Sequence, residues 1–199
     1  MTRILKLLLV LVASISINAH AKPAQTAGSV VSTMTEQVLA QGVATGRAAD
    51  PAKLKALVES TVMPNVDFRA MTSRAVGPRW RGATDDQKTR LMAGFEALLI
   101  KTYAGALAEA GGAKFKVKQT VEIDATTAEV RSEVTARGGR DPITLNYRLA
   151  LQDDRWKVVD VSVLGVWLVA TYQTQFAQVM ARTGGLDGLV QELEDRSAR

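Results

Sequence analysis

Two hydrophobic periods divide the chain into helical and strand-like segments. Before residue 110 and after residue 168, apolar residues recur every three to four positions, as on one face of a helix. Between residues 115 and 163 the interval falls to two, as in strands with one buried face. The helical spacing predicts helices at 28–43, from Pro51, at 67–75, from Thr84 to Gly111, at 168–182 and from Asp187 onwards.

Polar residues mark the start of two of these helices. Asn65 or Asp67 can cap the helix at 67–75, because a short polar side chain accepts hydrogen bonds from the free N–H groups of the first turn. Thr84 with Gln87 has the spacing of a capping box, in which each side chain binds the backbone N–H of the other residue.

Four alternating segments between residues 115 and 163 predict an antiparallel meander with one apolar face. The order of helices, strands and helices predicts an α+β fold, with a four-stranded antiparallel sheet and helices packed on one face. The apolar face is expected to contain Phe115, Val117, Val121, Ile123, Ala128, Val130, Ser132, Val134, Ala136, Ile143, Leu145, Tyr147, Leu149, Leu151, Val159, Val161 and Val163.

The run 161–181 carries no charged residue, yet it is not a membrane span, because three glutamines and two threonines make it too polar for hydrocarbon. The helical spacing of Tyr172 and Phe176 favours a buried core helix. Small residues such as Ala128 and Ser132 on the inward strand face leave two alternatives open. They permit either close packing of helix on sheet or an apolar cavity between the layers.

Residues 1–21 are organised like a cleaved export signal. Arg3 and Lys6 precede an apolar run that is shorter than the ~20 residues of a membrane span. The sequence Ala19-His20-Ala21 matches a signal-peptidase site. We therefore expect export and a single domain at residues 22–199.

The composition restricts the chemistry of the exported chain. His20 is the only histidine and the chain has no cysteine, so the exported part would lack disulfides, Ser–His–Asp machinery and the usual zinc ligands. The chain has 25 Lys and Arg against 20 Asp and Glu, and loss of Arg3 and Lys6 would reduce its net charge from +5 to +3. This charge is too small for a nucleic-acid-binding surface. No enzymatic activity, metal or cofactor is predicted.

Two long stretches, 67–107 and 155–193, resemble the MlaC family of periplasmic phospholipid-binding proteins, also called the toluene-tolerance family. Where that family commonly has a small serine, this chain has Trp167. The positions that carry the resemblance are Asp67, Gly77, Trp80, Phe95, Tyr103, Trp156, Asp160, Gly165, Val166, Tyr172, Phe176, Gly185 and Leu189.

The resemblance implies a non-enzymatic carrier with phospholipid as its cargo. Such a protein moves lipid between an outer-membrane lipoprotein–porin complex and an inner-membrane ABC transporter with its MCE-domain protein, which maintains outer-membrane lipid asymmetry and solvent tolerance. It also implies a cystatin- or NTF2-like arrangement with an acyl-chain cavity between sheet and helices. A polycyclic lipid (hopanoid) as cargo, or a cargo-free periplasmic adaptor, are the alternatives.

We hypothesise that the cavity lies between the inward strand face and the helices that face it. Arg79 and Arg81 flank Trp80. Either the two guanidinium groups meet a phosphate headgroup, or Trp80 is buried and the two arginines are solvated. The predicted lipid-binding residues are Met71, Phe95, Leu98, Leu99, Tyr103, Val130, Val134, Leu145, Tyr147, Leu149, Val161, Val163, Val166, Tyr172 and Phe176.

Overall fold

A computed structural model describes residues 25–44, 51–109, 112–138 and 141–198 of the chain, so the predicted export signal at 1–21 lies outside the described residues. The helices are α1 (Ala27–Ala44), α2 (Pro51–Leu57), α3 (Phe68–Val76), α4 (Asp85–Glu109), α5 (Leu168–Thr183) and α6 (Leu186–Ala198). The strands are β1 (Lys114–Asp124), β2 (Thr127–Thr135), β3 (Ile143–Gln152), β4 (Arg155–Val163) and β5 (Val166–Trp167). Short π and 3-10 turns occupy Val58–Val62, Met63–Asn65 and Gly77–Gly82.

The strands form an antiparallel meander in the order β1-β2-β3-β4-β5. The α+β prediction is confirmed, but the described residues hold five strands where the sequence predicted four. The fifth, β5, pairs with β4 through Ser162 with Trp167 and Val163 with Val166. A strand of two residues is too short to show an alternating pattern, so periodicity does not separate β5 from the helix that follows it.

A bulge in β1 reverses the predicted orientation of its second half. Val117 pairs with Ser132, but the next pair is Gln119 with Arg131, so Lys118 is an extra residue. Beyond it Thr120 pairs with the inward residue Val130, and a Cβ at Gly28 of α1 would lie 2.7 Å from the Thr120 hydroxyl. The prediction that Val121 shares the face of Val117 is therefore wrong. It is also wrong for Ile123, which is the extra residue of a second register shift, between Glu122 and Asp124, and is 56% exposed.

An irregularity in the β3–β4 pairing shifts the phase of β4. Arg148 pairs with Asp160 and Leu149 pairs with Val158, so Val159 is the extra residue. Val158 and Val161 consequently both pack into the core on the inward face of the sheet. The predicted set of Val159, Val161 and Val163 on one face is wrong for Val159, because a bulge adds a residue without changing the apparent alternation.

Two separate cores hold the fold together. The sheet core lies between α1 and the inward sheet face. The helical core lies among α3 to α6, of which α3 and α5 also contact β4. The sheet core contains Ala27, Val30, Val31, Met34, Ala128, Val130, Tyr147, Leu149, Trp156 and Val158. The helical core contains Ala75, Val76, Trp80, Leu91, Phe95, Tyr172, Phe176, Val179, Met180, Leu189, Val190 and Leu193.

Both predicted helix caps are confirmed. The Ala70 N–H donates to Asp67 Oδ1 at 2.8 Å at the start of α3. At the start of α4, the Gln87 N–H donates to Thr84 Oγ1 at 3.1 Å and the Thr84 N–H donates to Gln87 Oε1 at 3.0 Å. These bonds satisfy backbone donors that the first helical turn otherwise leaves free.

Candidate lipid-binding site

One end of the inward sheet face is only partly covered. This open end is where β1, β3 and β5 begin and where β2 and β4 end. Deeper in the sheet Tyr147 and Leu149 are 5% and 0% exposed, whereas Ile143 and Val166 at the open end are 43% and 57% exposed. Cross-strand pairing places the following residues on this face in two adjacent rows: Phe115, Val134 and Ile143, then Val117, Ser132, Leu145, Val163 and Val166.

A pocket of about 260 Å³ lies at the same end, between the second half of α1 and the start of β1. Leu39 and Phe115 supply its large apolar side chains, and Glu36 is its ionisable residue; Ala40, Gly112 and Ala113 complete the lining. The volume is just below the ~300–1,000 Å³ typical of small-molecule sites. This pocket suits part of an acyl chain rather than a whole diacyl lipid.

The predicted lipid-binding residues fall into three groups. In the sheet core, Val130, Tyr147 and Leu149 are buried members, with Leu145 and Val161 packed against them. In the helical core, Phe95, Tyr172 and Phe176 are buried members, with Leu98 and Leu99 packed against them. Outside both, Met71 is buried, Tyr103, Val134 and Val163 are half-buried, and Val166 is exposed.

Strand register brings four of the predicted residues together at the open end: Val134, Leu145, Val163 and Val166. The aromatic members of the helical core instead surround one another. The Phe95 ring centroid lies 4.9 Å from that of Tyr172 and 5.2 Å from that of Phe176, in edge-to-face geometry. These three rings thus fill the helical core in this conformation.

Comparison with known proteins identifies the family. The family described as MlaC protein matches residues 30–195. The chain belongs to the MlaC family. It is 22% identical over 153 residues to the intermembrane phospholipid transport system binding protein MlaC of Haemophilus influenzae, a match that covers 75% of this chain and 71% of that protein.

A solved structure supports the same assignment. The phospholipid-binding protein from Ralstonia solanacearum, solved in complex with a phospholipid, superposes with a TM-score of 0.82. The two sequences are 37% identical, and the match covers 87% of this chain and 98% of the other. The resemblance detected in the sequence is therefore confirmed, including its phospholipid-binding character at the level of the MlaC family.

The sequence hypothesis omitted three residues of this region, Leu39, Phe115 and Ile143. Each was marked as apolar by its periodicity, Leu39 in α1 and the other two in their strands. Periodicity does not distinguish a covered position from one at an open margin, because that depends on which helix lies over which strand. Their grouping in this MlaC-family protein is therefore visible only in three dimensions.

Asp160, one of the positions that carry the MlaC resemblance, caps a helix. Its Oδ1 accepts hydrogen bonds from the Val161 N–H at 2.9 Å and the Val169 N–H at 3.1 Å. Val169 lies in the first turn of α5, whose preceding residue, Trp167, provides no side-chain cap. Burial raises the pKa of the Asp160 carboxyl, while these N–H donors and the positive charge of Arg148 act in the opposite direction.

Tyr147 forms a wall of the sheet core. Burial raises the pKa of Tyr147 to about 12, and its hydroxyl lies 3.2 Å from Thr35 Oγ1 of α1, which acts in the opposite direction. The phenol is thus neutral and hydrogen-bonded at neutral pH. Among the described residues, no cluster of three or more histidine, aspartate or glutamate side chains is arranged to bind a metal ion.

Trp80 and Trp167 both lie away from the open inward face. Trp80 is 8% exposed, with the Arg69 guanidinium 5.7 Å from its ring centroid, and Arg79 and Arg81 are exposed. Of the two alternatives that the sequence left open for this segment, the structure has the buried indole with solvated arginines. Trp167 stacks on Arg148, whose guanidinium carbon lies 3.8 Å from the ring centroid, on the sheet face opposite Tyr147.

None of the described helices combines the length and the apolar composition that crossing a bilayer requires. This includes α5, which contains most of the uncharged run 161–181. Its buried residues, among them Tyr172 and Val179, belong to the helical core. The interpretation of α5 as a core helix is confirmed, but the expectation that Val166 faces the core is wrong, because Val166 is exposed beside the β4–β5 turn.

Proposed function

We propose that this protein is a periplasmic carrier that takes up one phospholipid at the open end of its sheet. It would move lipid between an outer-membrane lipoprotein–porin complex and an inner-membrane ABC transporter with an MCE-domain protein, and so maintain outer-membrane lipid asymmetry. The observation that carries the proposal is the 37% identity, over nearly the whole domain, with a structure that holds a phospholipid. Export would follow cleavage after Ala21.

The physics of lipid transfer explains what such a site must supply. Each methylene removed from water contributes ~0.8 kcal/mol, so a diacyl lipid with about thirty methylenes faces a barrier of roughly 24 kcal/mol in open water. A carrier lowers this barrier by offering apolar surface comparable to the bilayer interior. It needs no reacting group, which agrees with the absence of cysteine and of histidine outside the predicted export signal.

The proposed acyl-chain contacts start from the pocket walls Leu39 and Phe115 and continue along the inward face through Val134, Leu145 and Val163. These side chains are half-buried, so they have apolar surface that the protein itself does not cover. From the sequence hypothesis we retain Met71 and Tyr103 as further contacts, because both lie outside the two cores. A cystatin- or NTF2-like cavity between sheet and helices remains part of this proposal.

Native mass spectrometry and organic extraction of protein exported with its own leader test this function. We expect phospholipid to be bound to the wild type. Phe115→Arg should lower the bound fraction at least about tenfold, because a charge in an apolar site is strongly disfavoured. The matched control is Val121→Arg, a half-buried valine on the opposite face of the same strand, which should retain lipid.

Each other outcome of the extraction identifies a competing function. A polycyclic lipid would favour the hopanoid alternative, and turnover of added phospholipid would indicate an enzyme. A wild-type protein that never carries lipid would leave the adaptor alternative and contradict the carrier proposal.

A further inference from the structure

Exposed aliphatic side chains cluster at the open end of the sheet. Of the four large hydrophobic side chains that are exposed within the described residues, three lie here: Ile143 at 43%, Leu164 at 68% and Val166 at 57% exposed. The Leu164 N–H donates to the carbonyl of Thr144 at 3.0 Å, which holds this leucine beside the start of β3. The fourth, Ile123, lies at the opposite end of β1. Clustered exposed apolar residues commonly mark an interaction site.

The turn that presents Leu164 has an unfavourable backbone conformation. Leu164 and Gly165 have φ values of 52° and 84° and connect the paired residues Val163 and Val166. Positive φ at both central positions is typical of a type I′ turn, which favours Asn-Gly. A leucine is disfavoured there, because its Cβ approaches the following carbonyl oxygen.

The preceding hairpin turn, between β3 and β4, shows the more usual solution. It places Asp153 at φ 46° and Asp154 at φ 59°, and aspartate tolerates this conformation better than leucine does. The open end therefore has a strained, solvent-exposed leucine at a position where a polar residue such as asparagine would adopt the turn conformation more favourably. Such local strain is characteristic of functional positions.

Basic residues accompany the aliphatic cluster. Lys114 and Lys116 lie at the start of β1, and Arg137 follows β2, with its Cδ 3.4 Å from the position that a Cβ would occupy at Gly112. All three are exposed, and within the described residues none of them forms an ion pair. Two exposed acidic residues at the same end, Asp141 before β3 and Glu36 in the pocket lining, offset them in part.

We propose that the open end docks directly on the surface of an anionic phospholipid bilayer. Leu164, Val166 and Ile143 would enter the boundary between headgroups and acyl chains, while Lys114 and Arg137 meet lipid phosphates. Aliphatic residues flanked by Lys and Arg are the usual elements of such surface binding.

The position of the pocket explains the purpose of this docking, and this step rests on the proposed carrier function. Phe115 and Leu39 line the pocket at the same end of the sheet. A lipid that leaves a docked bilayer would therefore reach apolar surface without passing through bulk water.

Vesicle flotation tests the docking with protein purified at full mature length. With vesicles of phosphatidylethanolamine and phosphatidylglycerol, Leu164→Asn should bind about tenfold more weakly than wild type, because it removes the most exposed apolar side chain. The same variant should unfold at an unchanged or higher temperature, because asparagine relieves the strain of the turn. The matched control is Ile123→Asn at the other end of β1, which should float as wild type does.

A charge-reversal variant tests the role of the basic residues. Lys114→Glu with Lys116→Glu should weaken binding to the phosphatidylglycerol vesicles and leave any binding to pure phosphatidylcholine vesicles unchanged.

Native mass spectrometry of the same samples separates the docking proposal from the carrier proposal. A wild type without lipid contradicts the carrier function, whereas a lipid-loaded Leu164→Asn that floats like wild type overturns the bilayer docking. Docking is also overturned if Leu164→Asn binds vesicles normally but loses lipid transfer to a purified protein partner.

Discussion

At the scale of single residues, two acidic side chains connect the sheet to the helices. Asp67 caps α3, its N–H donates to the Val158 carbonyl at 2.9 Å, and its Oδ2 accepts from Gln152 Nε2 at 2.6 Å. Asp160 extends from β4 to the first turn of α5. These carboxylates have structural partners that account for them without a catalytic role.

Substitution of Asp160 should separate hydrogen bonding from charge. Asp160→Ala leaves the N–H groups of Val161 and Val169 without their acceptor, and we expect the free energy of unfolding to fall by about 2 kcal/mol. Asp160→Asn keeps an acceptor oxygen and should change stability much less at neutral pH. Urea denaturation measures both, and equal losses in the two variants would contradict the capping role.

The pH dependence of the same variants follows from the raised pKa of Asp160. Between the ordinary carboxyl pKa and the raised value, the folded protein holds a proton that the unfolded chain has released. The free energy of unfolding contributed by this group therefore decreases as pH rises through that window and is constant above it. We expect the stability difference between wild type and Asp160→Asn to change across this window and to be flat at neutral pH.

At the scale of elements, bulges and close helix contacts decide which faces meet. The extra residues Lys118 and Val159 shift the phase of β1 and β4, so that Thr120 faces α1 and Val158 enters the sheet core. Helix α4 contacts α6 so closely that a Cβ at Gly94 would lie 2.7 Å from the Leu193 Cβ. These local features fix the relative positions of layers whose existence the periodicity predicts.

Alanine substitution at two glycines of α4 should change the free energy of unfolding in opposite directions. Gly94→Ala should lower the free energy of unfolding by about 1–3 kcal/mol, because α4 and α6 must separate to admit the methyl group. Gly105→Ala should raise it by up to about 1 kcal/mol, because the site is exposed, an added Cβ would lie within 4 Å of no other described part of the chain, and alanine favours the helix. Thermal and urea denaturation of both variants provide the test, and stabilisation by Gly94→Ala would contradict the close packing.

At the scale of the whole molecule, both cores have half-buried margins, and the pocket lies at the margin of the sheet core. The margin of the helical core includes Phe68, Leu98 and Leu99. The sheet core has margins at Leu145 and Phe115 that are only half-buried. A ligand that covers these margins buries more apolar surface in the sheet core and leaves the packing of the helical core unchanged.

Removal of bound lipid should therefore destabilise one part of the molecule preferentially. For lipid at a hundred times its Kd, the free energy of unfolding should fall by about 2.7 kcal/mol on delipidation. Hydrogen–deuterium exchange should increase in the second half of α1 and the first half of β1, with little change in α4 and α6. Uniform exchange changes across both cores would contradict a site at the open end.

The sequence by itself determined which segments are helices and strands, where α3 and α4 begin, and that the chain resembles a lipid-binding family. These properties depend on periodicity, capping residues and motif spacing, all of which are local in the chain. Only the tertiary structure decided the fifth strand, the phases of β1 and β4, and the division into two cores. It also decided that Val134, Leu145, Val163 and Val166 meet at one open end while Phe95, Tyr172 and Phe176 fill the helical core. The reason is that burial depends on which distant element covers a face, and one added residue in a strand reverses every side chain beyond it.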